Sequence, residues 1–332
     1  VETIGGLGVR RANFTIKDGI KGPFNLYFTM KSGQTAEPEW QTAASGFWEG
    51  INLDGGFVKV TVSQGGSVDE PELFVEAIPG RGLSLQPGMM DVIRDHLMSL
   101  FTLGYDLESF YSKFRGDIIG GIIPKVRGLR LMHGRSPFKS LICSILSQHA
   151  TVLQWNLWAR RISNLFSQPV KFDDGTVYHP FPDPRTLASA DKRVLEGCGI
   201  GYRARYVVEA SSKVVAGELS FSRLRDMGYL EARSELMEVR GIGPKVADCF
   251  LLYGLGMGEA APVDLWIHRI VSELYFNGAK VGKEYVNKFL RDRYGSYAGL
   301  AQLYLYHYGR KFWWSRYESS SSPSKPFKPK DG

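Results

Sequence analysis

The sequence predicts an α+β chain: an antiparallel β-rich unit over residues 1–105, then an all-α domain over 106–312. Three patterns carry that prediction. Val58, Val60 and Val62 alternate in FVKVTV, and Leu73, Val75 and Ala77 alternate in ELFVEA, the two-residue period of half-buried strands. From Asp106 the period becomes helical, with Leu107, Phe110, Tyr111 and Phe114 on one stripe. Further on, Gly-Ile-Gly-Pro-Lys at 241–245 joins two helical segments through a tight hairpin. Gly241 and Gly243 accept backbone angles that other residues resist, and Pro244 suits the first turn of a helix, where its missing N–H would be unpaired anyway.

The rest of the chain fits around these segments in order. Gly- and Pro-rich punctuation separates the strands, residues 89–101 read as a helix, and Ser32-Gly33-Gln34 reads as a turn. A helix is predicted from about 138 to 166, with Leu141, Ile145, Leu146 and Val152 near one face and Ser147-Gln148-His149 as a polar interruption. Residues 167–185, rich in proline, read as a surface connection. Tyr202 and Arg203 belong to a charged cluster that ordinarily marks a solvated helix start. Residues 231–239 lead into the hairpin, and Asp264 precedes the amphipathic run Ile267, Ile270, Val271 and Leu274, where it suits an N-cap. In the last helices Leu300, Leu303 and Tyr304 serve the core, while Gln302 and Tyr306, four apart, share another edge. After Phe312 the chain is Ser/Pro/Lys-rich and aperiodic, which predicts a disordered basic tail over 313–332.

Composition narrows the class of function without choosing it. The chain has 332 residues, 43% hydrophobic, and a net charge of +7 that suits a polyanionic partner. Cys143, Cys198 and Cys249 form no even disulfide framework and no Cys-x-x-Cys spacing. No run reaches membrane-spanning length and no basic-then-apolar leader is seen, so an intracellular monomer with no membrane partner is expected.

The hairpin itself suggests chemistry. Backbone N–H groups at the N-terminus of its second helix form an anion site that a duplex phosphate can occupy without sequence preference. Lys245 stands on the first turn of that helix, and Asp264 follows in Pro-Val-Asp. A carboxylate fixed opposite an amine can stabilise a cationic transition state. Cys249, four residues after Lys245, falls on the same helix side.

GIGPKVADC followed by PVD resembles the helix-hairpin-helix DNA glycosylase superfamily, and specifically its 8-oxoguanine DNA glycosylase/abasic-site lyase branch. KSGQ at 31–34, GLRLM at 128–132, LICS at 141–144, GYRARYV at 201–207 and YAGLAQ at 297–302 resemble that branch in the same order, so the likeness spans roughly residues 10 to 312. The resemblance implies duplex DNA containing oxidised guanine or abasic sites as partner, no cofactor, and a DNA-associated location in nucleoid or nucleus. It makes Lys245 the nucleophile and Asp264 its electrostatic partner. Gly33 would offer its carbonyl to the N7 hydrogen of 8-oxoguanine, a group undamaged guanine lacks. Gln302 would read the base edge, with Tyr306 and Cys249 on the base's two faces. Leu146, Ser147 and Gln148 would lie at the gap left by the flipped nucleotide, Tyr202 and Arg203 would form the wedge, and Gly241, Gly243 and Val246 would meet phosphate. No catalytic metal is implied, although the hairpin carbonyls of Met237, Val239 and Ile242 can hold a structural cation.

Three positions depart from the eukaryotic pattern of that branch. Leu146 stands in place of an Asn, Thr151 in place of an Arg reading cytosine, and Trp266 in place of a phosphate-contacting His. Relaxed opposite-base preference is therefore expected. Two other classes stay open: a monofunctional glycosylase for alkylated bases, which typically lacks the lysine, and a non-catalytic DNA-binding module.

Overall fold

The computed structural model describes residues 10–53 and 55–313; nearly all of the expected basic tail, 314–332, lies outside them. Strands β1 (Ala12–Ile16), β2 (Gln41–Ala43), β3 (Gly46–Leu53), β4 (Gly56–Gly66) and β5 (Pro71–Pro79) form an antiparallel sheet in the order β1-β5-β4-β3-β2. The alternating residues explain its register. Val60 pairs with Ala77 and Val62 with Val75, and all four are buried on the face that packs against the helices. Helix α1 (Leu26–Met30) is capped by Asn25, and α2 (Pro87–Leu100) contributes Ile93, Leu97 and Leu100 to the same core.

Helices α3 (Leu107–Lys113) and α4 (Ile118–Ile122) open the helical region. The helix expected over 138–166 is in fact two, α5 (Pro137–Leu146) and α6 (Val152–Phe166). The break has a physical cause: His149 is left-handed at φ +44°, and Thr151 and Gln154 form a reciprocal capping box that starts a new helix. The 167–185 segment is also more than a surface connection. Its hairpin, β6 (Val170–Lys171) and β7 (Val177–Tyr178), returns to the N-terminal sheet, where Phe172 meets Trp48 edge-on at 6.3 Å.

The chain continues through α7 (Pro184–Ala188), α8 (Lys192–Leu195), α9 (Arg203–Val215), α10 (Phe221–Asp226), α11 (Tyr229–Met237), α12 (Pro244–Tyr253), α13 (Leu265–Phe276), α14 (Lys283–Tyr294) and α15 (Ala298–Tyr308). Two apolar cores result. One runs from the sheet through α5, α6, α9, α11 and α12; the other joins α3, α4, α13, α14 and α15. Lys245 is carried by the first core, whereas Asp264, Gln302 and Tyr306 come from the second, so the candidate site lies where the cores meet. No helix among the described residues is long and apolar enough to cross a membrane.

Candidate active site

The helix bearing Lys245 is held rigidly. Three residues beyond the lysine, the buried carboxylate of Asp248 accepts from Tyr229 Oη at 2.7 Å, Arg233 Nε at 2.9 Å and Asn287 Nδ2 at 3.1 Å. Burial pushes its pKa up to about 6, with the Arg233 guanidinium opposing that shift. A buried carboxylate this fully bonded locks α12 to α11 and α14, and so fixes the first turn of α12 in space.

The two glycines of the hairpin before α12 stand in different surroundings. Gly241 is left-handed at φ +88°, and a Cβ there would lie 2.2 Å from the Tyr206 ring. Gly243 precedes Pro244 with no side-chain cap, and a Cβ there would meet open space, so the helix N-terminus is left uncovered. Val246 turns its side chain into the core while its N–H bonds Gly243 O at 3.0 Å. Of the three carbonyls expected to hold a cation, Val239 accepts the Ile242 N–H at 3.0 Å, which leaves a second lone pair free.

Around the lysine the expected groups converge. Lys245 Nζ donates to Ser147 Oγ at 2.7 Å, and Ser147 Oγ itself donates to Ser144 O at 2.7 Å. Cys249 is buried; burial pushes its thiol pKa up, Lys245 in contact with the sulfur opposes this, and the Asp264 charge reinforces it. Asp264 caps α13, accepting from Ile267 N at 2.8 Å. Burial and then the Asp264 charge push the Tyr306 phenol up to about 12, while Arg310, with its guanidinium 5.3 Å from the ring centre, pulls the other way. Lysine, thiol, carboxylate and phenol thus share one electrostatic neighbourhood.

Two further residues border this group. Gln302 is only 5% exposed, and its Oε1 is buried without a hydrogen-bond partner among the described residues. Such an orphan costs about 1–3 kcal/mol, a cost relieved when a ligand donor arrives. Gly33 is left-handed at φ +80°, and a Cβ there would lie 2.6 Å from Val152 Cγ2. Its turn is tied to the rest of the molecule by Gln34, which donates to Arg130 O at 2.9 Å and accepts from Met132 N at 2.7 Å. That bond explains how a turn of the sheet region comes beside the helices.

The α5–α6 turn requires a correction. Leu146 is 0% exposed, packed in the first core by the last turn of α5, so it cannot fill a gap in a duplex as expected. The exposed tip is His149, which the sequence marked only as part of a polar interruption of one helix, because nothing in its neighbours announces a left-handed turn. Gln148 bends back so that its Nε2 donates to Ile145 O at 3.0 Å, and Thr151 is occupied as the α6 cap. Tyr202 is 44% exposed and packs edge-on to Tyr206 at 5.9 Å, whereas its neighbour Arg203 is turned inward. Arg310 beside Tyr306 and Gly33 also had no motif to mark it.

Residues 142–295 match the family described as HhH-GPD superfamily base excision DNA repair protein. A Methanothermobacter thermautotrophicus protein named "Probable N-glycosylase/DNA lyase" is 33% identical over 309 residues, covering 87% of this chain and 95% of that protein. Among solved structures, MBOgg1 in complex with a low affinity DNA ligand superposes with a TM-score of 0.77 at 27% identity, covering 90% of this chain and 96% of that one. A 3-methyladenine DNA glycosylase from Archaeoglobus fulgidus gives 0.73 at 25% identity, covering 90% and 99%.

Proposed function

Since the chain belongs to the HhH-GPD superfamily of base excision DNA repair proteins, in the company of N-glycosylase/DNA lyases, we propose that it excises 8-oxoguanine from duplex DNA and nicks the strand through a lysine imine. The observation that carries this reading is Lys245, an amine on the first turn of a locked helix, in contact with Ser147 and with Cys249, whose thiol Asp264 also acts on. The Archaeoglobus fulgidus likeness favours an alkylated-base enzyme as second reading. An enzyme that activates water has no use for an amine at that point, so Lys245 favours the lyase.

The chemistry follows from these groups. C1′ of a stacked nucleotide is inaccessible, so the base must be flipped at a cost of roughly a few kcal/mol, offset by phosphate contacts at the Gly241–Gly243 hairpin and by the Tyr202 wedge. The Gly33 carbonyl accepts the N7 hydrogen of the damaged base, and Gln302 takes its Watson–Crick edge between Tyr306 and Cys249. Lys245, uncharged when it attacks, adds to C1′ as the glycosidic bond breaks and its electron pair leaves with the base. The nitrogen sheds a proton and the sugar ring opens at O4′, giving the imine. Asp264 stabilises the positive charge that develops on the sugar. The imine acidifies C2′; its proton is lost as the C3′–O bond to phosphate breaks, which nicks the strand. The enzyme acts as a monomer, and the α5–α6 turn, with His149 rather than Leu146 at its tip, faces the space the nucleotide vacates.

Sodium borohydride trapping on abasic-site duplexes tests the reading, because only an imine can be reduced to a permanent adduct. Gln302→Ala is expected to slow 8-oxoguanine excision by about 10-fold or more, the discrimination carried by one good base-edge contact, while leaving nicking of a preformed abasic site near wild type. Equal loss on both substrates would show that Gln302 only supports the fold.

Opposite-base preference is expected to be weak. Reading cytosine requires donors aimed at its O2 and N3, yet Leu146 is buried, Thr151 caps α6 and Arg203 is turned inward. Losing one such contact cuts preference by roughly one to two orders of magnitude, so excision opposite A, G and T should approach that opposite C. Single-turnover rates on the four duplexes check this, and a preference for C above roughly a thousandfold, the worth of two such contacts, would refute it.

A further inference from the structure

Arg203 sits next to the exposed wedge tyrosine, but its guanidinium is committed elsewhere. The residue is 6% exposed and lies between two rings, 4.7 Å from the centre of Trp158 and 4.6 Å from that of Tyr202. Nε donates to Gln148 O at 3.0 Å, Nη1 to Ile200 O at 3.1 Å, and Nη2 to both Gln148 O and, at 3.4 Å, His149 O. An arginine has five N–H groups in a fixed fork, so these contacts leave at most one for any base. Two of the three carbonyls they hold, those of Gln148 and His149, belong to the turn that carries His149 in its left-handed conformation. Without those donors the turn would keep its strain and lose its partners.

The turn leads directly to the nucleophile. Ser147, one residue before Gln148, gives its hydroxyl proton to Ser144 O, so toward Lys245 Nζ it presents only lone pairs. An uncharged lysine held there must donate an N–H to Ser147, and its own lone pair then points in a direction set by the turn. We propose that Arg203 is a positioning residue for Lys245, acting through the Gln148–His149 backbone and the Ser147 hydroxyl, rather than a reader of the opposite base. The proposal rests on the lyase reading above. It also links recognition to chemistry: Tyr202 stacks on the same guanidinium, so a duplex that moves the wedge moves the turn behind the nucleophile.

The test is single-turnover adduct formation under borohydride at saturating enzyme, on abasic-site duplexes with each of the four opposing bases. Wild type, Arg203→Ala, Arg203→Lys, Ser147→Ala and the Arg203→Ala/Ser147→Ala pair are compared. Arg203→Ala should slow the reaction about tenfold equally opposite all four bases, with the final adduct yield unchanged, an effect below that of a 1 Å misplacement. Ser147→Ala should lose a similar factor, and the pair should be no slower than about twofold beyond either single variant, because both cut the same path. Arg203→Lys, which keeps one donor for Gln148 O, should recover part of the rate. A loss confined to cytosine, a pair whose losses multiply, or a lowered yield at unchanged rate would each overturn the proposal; the last would mean that Arg203 serves folding alone. A wild-type protein that traps no adduct overturns the lyase reading itself, and this proposal with it.

Discussion

Replacing Lys245 with glutamine is expected to abolish both borohydride trapping and strand nicking while DNA binding survives. Glutamine is one atom shorter than lysine but keeps an N–H donor on the side of Ser147 Oγ, which in the wild type lies 2.7 Å from Nζ. What it lacks is a nucleophilic lone pair, since an amide nitrogen shares its electrons with the carbonyl. Arg310 stands beside Tyr306 but cannot substitute, because a guanidinium stays protonated at any working pH. Binding should change by no more than about fivefold, because the hairpin backbone and Tyr202 are untouched and one surface ion-pair contact contributes up to about 1 kcal/mol. Residual adduct from the Lys245→Gln protein would remove Lys245 from its assigned role. Loss of binding along with chemistry would instead make the lysine a phosphate anchor.

How far such assignments could be made without coordinates depended on the physics involved. Local periodicity and backbone chemistry were legible. The valines of β4 are buried as their alternation predicted, Pro244 does open a helix, and Asp264 does cap one. Lys245 and Cys249 share a helix side because four residues make about one turn. Contacts made between distant segments were not legible. Leu146 ends a helix, where the same apolar residue can face a core or a partner, and packing by α6 and α9 decided for the core. Arg203 satisfies carbonyls that lie 54 and 55 residues away in sequence, so a residue that looked solvated is buried. Phe172 and Tyr178 sit in a proline-rich stretch whose composition hides that they cover Trp48. Spacing gave Gln302 only an edge shared with Tyr306, its role came from the resemblance, and its orphaned acceptor exists only in the folded site.

The second large effect concerns Asp264, where capping and catalysis can be separated cleanly. Its carboxylate accepts the Ile267 N–H at 2.8 Å, a bond that asparagine can also accept, and the two residues are about equal as N-caps. Asp264→Asn should therefore leave stability nearly unchanged. It removes the negative charge, however, and a site that must stabilise an oxocarbenium-like sugar loses that interaction only in the transition state. Base release should slow by at least about 100-fold, the scale set by removing one preorganised electrostatic group. Asp264→Ala loses the charge and the cap together, so it should match the asparagine variant in rate and fall below it by about 1 kcal/mol in stability. Single-turnover excision beside thermal unfolding of both variants makes the comparison. If Asp264→Asn excises within a few-fold of wild type, the aspartate is a cap and nothing more, and the charge that steadies the sugar must come from elsewhere in the pocket.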